Sequence, residues 1–140
     1  MKVKKIDDVY LVRVDKGEDI MKTLNDICAE KGIRLAKISG IGATDSISLS
    51  VYNSDEKKYY TKNFTGPHEI TNLTGNVTQL DNQTYLHIHA TIADKDFNAY
   101  GGHLKSAVVS GTCEIFIYKV NAYIDKIKDE VTGLNILNIF

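Results

Sequence analysis

Helical spacing is confined to one stretch of this sequence, and that restricts its fold more than any other feature. Ile20, Met21, Leu24, Ile27 and Cys28 follow the i, i+3, i+4, i+7, i+8 rule of a one-sided, amphipathic helix. Glu18 and Asp19 suit its positive end, and Gly32 suits its C-terminal exit. Such a stripe is stable only when packed against something else, and the rest of the chain offers strands.

The strand-like segments run almost end to end. Val9 to Val14, Ile33 to Ile38, Ile47 to Val51 and Tyr59 to Phe64 are β-rich or alternate with period two. Glu69 to Leu73, Gly75 to Leu80, Tyr85 to Ile92, Leu104 to Ser110, Cys113 to Val120 and Leu134 to Ile139 extend the series. Turns are expected at Asp15-Lys16-Gly17, Asn53 to Glu56 and Asp81 to Gln83, with a loop over Ala93 to Gly102. The fold class that follows is α+β: a mostly antiparallel sheet packed with one main amphipathic helix. With 140 residues and 43% hydrophobic content, residues 1–140 are expected to form one domain.

Charge and cysteine usage narrow the function classes. The net charge is −1. Autonomous DNA-binding domains carry a basic face, because phosphate contacts supply most of their affinity. Here the dense basic stretch is only Lys2, Lys4 and Lys5, with Lys57, Lys58 and Lys62 as a looser group. The two cysteines, Cys28 and Cys113, sit in apolar surroundings and form no CxxC, so buried free thiols in a reducing, cytoplasmic compartment are expected. The N-terminus lacks the apolar run of a signal peptide, and no stretch has the length of a membrane span.

Ser39-Gly40-Ile41-Gly42-Ala43 invites a nucleotide-binding reading, but a third glycine is missing and a strand follows instead of a helix. These glycines are expected to form a tight link between adjacent strands. No serine sits in a GxSxG elbow, and no cysteine accompanies a histidine in a recognisable setting. Tyr59, Tyr60 and Tyr85 read as β-forming residues on a pleated surface, and Asp94 and Asp96 as solvated turn residues.

The order of four blocks is similar to the plants-and-prokaryotes conserved (PPC) domain family. They are Ser39 to Ala43, Glu69-Ile70-Thr71-Asn72-Leu73-Thr74-Gly75-Asn76, Leu86-His87-Ile88-His89-Ala90 and Tyr100-Gly101-Gly102-His103-Leu104. The closing Glu130 to Asn135 also resembles that family's last strand. The HxHA and GGHL pair is the specific part. The resemblance implies a compact β-sheet domain with one main helix, assembly as a homotrimer, and a DNA-binding or regulatory role. In the plant members an AT-hook precedes the domain, and this chain has no such arginine-glycine-arginine-proline segment. The chain departs from the family's wording at Gly66-Pro67-His68, which adds a fourth histidine near the motif.

His87 and His89 lie two apart on a strand, so both imidazoles point to one face, about 6–7 Å apart along it. Gly101-Gly102 lets the backbone turn sharply or approach closely, presenting His103 from a neighbouring segment. Three histidines from two places match a Zn²⁺ site with an open fourth position. Glu69 is the motif carboxylate available as a fourth ligand, or as a partner that holds an imidazole. Histidines in a sheet also pack with one nitrogen on a carbonyl or carboxylate, and both readings stand on the sequence.

Three functions are therefore carried forward. The first is a homotrimeric PPC-type module, linked to DNA by family but not by charge, with metal held by His87, His89 and His103. The second is a metal-dependent enzyme with Glu69 as general base. The third is an interaction domain that uses apolar sheet surface to assemble and to recruit a protein partner.

Overall fold

The computed structural model describes residues 1–139. Eight strands and one helix follow in the order β1 (Lys2–Ile6), β2 (Val9–Asp15), α1 (Ile20–Glu30), β3 (Ala36–Asn53), β4 (Lys58–Leu80), β5 (Gln83–Ala93), β6 (Ala99–Lys119), β7 (Lys126–Lys128) and β8 (Asn135–Leu137). The first six strands form one antiparallel sheet in the order β1-β2-β6-β3-β4-β5. β5 also pairs with β6, so β3, β4, β5 and β6 close a ring of ladders.

The main sheet is thus mostly antiparallel with a single helix, as the spacing implied, but its strands are longer than expected. β3 runs unbroken through Ser39 to Asp45, and β4 through Pro67. The glycines of Ser39 to Ala43 are not a link between two strands. A Cβ on Gly40 would lie 2.8 Å from the Glu114 carbonyl oxygen, and one on Gly42 would lie 2.7 Å from Cβ of Cys113. Both positions let β6 press onto β3 without a break in either. Register shifts near Gly42 and Thr44 bend the strand. Thr44 is fully buried there, and its hydroxyl lies 2.7 Å from the Val108 carbonyl oxygen.

α1 buries Ile20, Thr23, Leu24, Ile27 and Cys28 and packs against β5 and β6. Asp19 caps its start by accepting from the Lys22 N–H at 2.8 Å. Glu18, expected at the same end, instead accepts from the Asp15 N–H at 2.8 Å. Gly32 leaves the helix at φ 59°, a left-handed conformation that glycine adopts without strain. Ile33 to Leu35 then lie outside the strand that was expected to begin there, although Ile33 joins the core. Val14, Ile38, Leu73, Ile88, Ile92, Leu104 and Ile117 are among the strand residues of that core. Each contributes about 1.5–3 kcal/mol by leaving water.

The tail returns to the sheet. Lys126 to Lys128 and Asn135 to Leu137 form a second, two-stranded sheet. Asp125 bridges Gln79 of β4, and the Tyr52 hydroxyl donates to the Thr132 carbonyl at 2.6 Å. Among the described residues no helix is long and apolar enough to cross a membrane.

Candidate metal centre

β5 divides its side chains cleanly. Ile88, Ala90 and Ile92 point into the core, with 0–2% exposure. Tyr85, His87 and His89 therefore share the opposite face. Across the β5–β6 ladder His89 stands directly opposite His103. The structure brings all three rings together: His87 and His89 have centroids 5.2 Å apart, His87 and His103 5.4 Å, and His89 and His103 5.6 Å. One ligand nitrogen from each lies within 4.8 Å of the others. An ion about 2.0–2.1 Å from each nitrogen needs them nearer together, so binding would require the rings to turn toward one another.

The glycines before His103 act by close approach, not by turning. Gly101 and Gly102 are part of β6, and the loop is only Asp94 to Asn98. A Cβ on Gly102 would lie 2.7 Å from the Ser50 carbonyl oxygen. Asp94 closes the loop by accepting from the N–H groups of Asp96 and Asn98 at 2.9 and 3.0 Å.

Burial favours the neutral form of two of the rings, His87 and His103. Burial pushes the pKa of His87 down to about 4, helped by the Lys126 ammonium and the rings of His103 and His89. His103 is lowered as well, by burial first and then by His89 and Lys105. Neutral imidazoles keep a lone pair for a ligand bond. Nδ1 of His103 is buried without a hydrogen-bond partner. The alternative of rings satisfied by a carbonyl or carboxylate needs partners that this site lacks. His68 has one: its Nδ1 lies 2.8 Å from the Gly66 carbonyl oxygen.

Two sequence candidates fall outside the group. Glu69 pairs with Ala93, four residues along β5 from His89, roughly 13 Å at strand rise. The structure therefore does not place it as a fourth ligand or as a partner to the rings. His68 packs against Phe64, with centroids 5.9 Å apart, and also stays apart. Other residues also lie around the centre: Asn76, Thr78 and Lys126 carry no signal in the sequence, and Tyr59 and Tyr85 read there only as β-forming residues. Asn76 stands opposite His87 and Thr78 opposite Tyr85, and Asn76 Oδ1 and Thr78 Oγ1 are both buried without partners. Tyr59 lies 5.5 Å from His103. Lys126 comes from the tail, 6% exposed, with its ammonium 5.1 Å from the Tyr85 ring centre. No local pattern marks a lysine between Asp125 and Ile127 as part of a site.

Residues 1–121 match the Plants and Prokaryotes Conserved (PCC) domain. No curated protein matches the chain. Among solved structures it is similar to a "putative DNA binding protein" from Bacteroides thetaiotaomicron, at 38% identity and TM-score 0.95, covering 98% of this chain and 96% of that one. It is similar to a metal-containing protein from Archaeoglobus fulgidus, at 37% identity and TM-score 0.88, covering 97% and 94%. It is also similar to a plant- and prokaryote-conserved (PPC) protein from Pyrococcus horikoshii, at 26% identity and TM-score 0.87, covering 99% and 94%. The chain belongs to the Plants and Prokaryotes Conserved domain family.

Proposed function

We propose that this protein holds one divalent transition-metal ion, Zn²⁺ by preference, through His87, His89 and His103, and presents it to a small ligand. The observation that carries this is the meeting of three imidazoles with no carboxylate among them, one bearing a buried nitrogen without a partner. An unmet buried polar atom costs about 1–3 kcal/mol. The donor set fits: three neutral nitrogens suit Zn²⁺ and leave a fourth position open. His89 is the exposed member, so the open side faces solvent. The metal-containing relative supports the same reading.

When bound, such an ion supplies Lewis acidity that polarises a carbonyl or lowers the pKa of water to about 7. The chain's own part is to orient: the ladder fixes His89 against His103, while burial keeps His87 unprotonated. Within one chain Glu69 lies roughly 13 Å along the sheet from His89, so we do not assign it as a general base at this centre. The experiment is elemental analysis of the purified protein and a His87→Ala variant. About one Zn²⁺ per chain in the parent and near none in the variant is expected. Equal, negligible metal in both overturns the reading.

Self-assembly is the second part of the proposal, with a homotrimer as its form. Ile41, Val51 and Phe116 keep 58%, 62% and 44% exposure, more apolar surface than a lone sheet face needs. Light scattering that gives a trimer mass supports it, and a monomer mass at micromolar concentration overturns it. Duplex DNA has the exposed Lys2, Lys4 and Lys5 of β1 as its available contact. A salt-dependent mobility shift supports DNA as a partner, and no shift at low salt removes it.

A further inference from the structure

We propose that the corner of the sheet beside the three histidines, where Lys126, Thr78 and Asn76 meet, takes a small carboxylate anion, with Lys126 as its counter-charge. This deepens the metal reading above and rests on it. Lys126 is 94% buried, which follows from its 6% exposure. None of the ion pairs among the described residues involves it. Its hydrogen bond is a long one, to the Asn135 carbonyl oxygen at 3.4 Å. A buried ammonium is costly unless paired, and the ring of Tyr85 offsets only part of that cost. Tyr85 is two residues before His87 on the same strand face, so the charge sits at the edge of the histidine group.

The neighbours complete an acceptor-binding corner. Thr78 Oγ1, buried and unpartnered, stands opposite Tyr85, and its hydroxyl has a proton to donate. Asn76 stands opposite His87; its buried unpartnered atom is Oδ1, an acceptor, so its contribution to an anion would come from the Nδ2 amide hydrogens. One fixed positive charge with one or two neutral donors matches a singly charged carboxylate. A phosphate site draws on arginine forks or a helix N-terminus. Among the described residues the one helix start is already capped by Asp19.

The test uses Co²⁺ in place of Zn²⁺, because its visible spectrum changes when a ligand joins the ion. Acetate is titrated into the Co²⁺-loaded full chain at fixed pH and ionic strength, and imidazole is titrated as an uncharged control. Parent, Lys126→Met and Lys126→Arg are compared. Loss of a charge-assisted hydrogen bond predicts acetate affinity about tenfold or more weaker in Lys126→Met, with imidazole binding unchanged. Lys126→Arg keeps the charge and is expected to retain most acetate binding. Unchanged acetate affinity in Lys126→Met overturns the proposal, as does equal weakening of acetate and imidazole. Should Lys126→Met not fold, the parent's failure to prefer acetate over neutral acetamide overturns it instead. A parent that takes up no Co²⁺ sinks the metal reading and this proposal together, whereas failure of the lysine's role leaves Co²⁺ uptake intact.

Discussion

A side chain on Gly75 would meet the carbonyl oxygen of His87 at 2.1 Å. That contact is with backbone, which cannot rotate aside. The β4–β5 ladder at Asn76 and His87 therefore depends on a bare Cα at this position. Gly75→Ala is expected to cost about 1–3 kcal/mol or more by overpacking, and to displace His87 from the other rings. Urea midpoints and bound Zn²⁺ should fall together. A variant with parent stability and parent metal content would contradict the packing argument.

His103 separates stability from function. Its Nδ1 is buried without a partner, so His103→Phe removes an unmet polar atom and keeps a ring beside Tyr59. The metal-free variant is expected to be more stable than the metal-free parent by about 1 kcal/mol. It should also bind no metal. Thermal melts after chelation, with metal analysis alongside, decide this.

Acid should weaken the metal-free protein through His87. Its folded pKa is about 4 against an ordinary 6.5, so between those values the unfolded chain binds the extra proton. Stability then falls as pH drops from about 6.5 toward 4, and levels off below. His103 adds to the slope in the same direction. His87→Gln should flatten the plot of urea midpoint against pH in that window relative to the parent. Metal affinity should fall with the same protons, because an imidazolium has no lone pair to share.

Both thiols should be silent in the folded state. Cys28 and Cys113 are buried, and burial pushes their pKa up to about 12. A thiol reagent at pH 8 is expected to label neither until denaturant is added, and then both. Rapid labelling of the native protein would place one of them in an opening part of the core.

The helix was legible because its signal is local: Leu24, Ile27 and Cys28 recur at the helical period and face one way. The long strands were not, because glycine marks a chain end and a close crossing alike. Gly40, Gly42 and Gly102 belong to the second kind, each pressed onto a neighbouring backbone. Two rings of the site could be placed on one face from alternation alone, since His87 and His89 are two apart on one strand. Glu69 was misplaced because membership of a neighbouring motif carries no information about register, and register sets it against Ala93. Lys126 left no trace at all: it reaches the site from a tail whose path is fixed by the contacts of Asp125 and Thr132 with distant strands.

The closed circuit of β3, β4, β5 and β6 has a mechanical corollary. A strand in an open sheet can slide against one neighbour, but here any slip must be matched around the whole loop. A shift of one residue would also turn His87 and His89 inward and Ile88 outward. The backbone positions of the three histidines are thus held by topology, and the side-chain torsions are the freedom left to them.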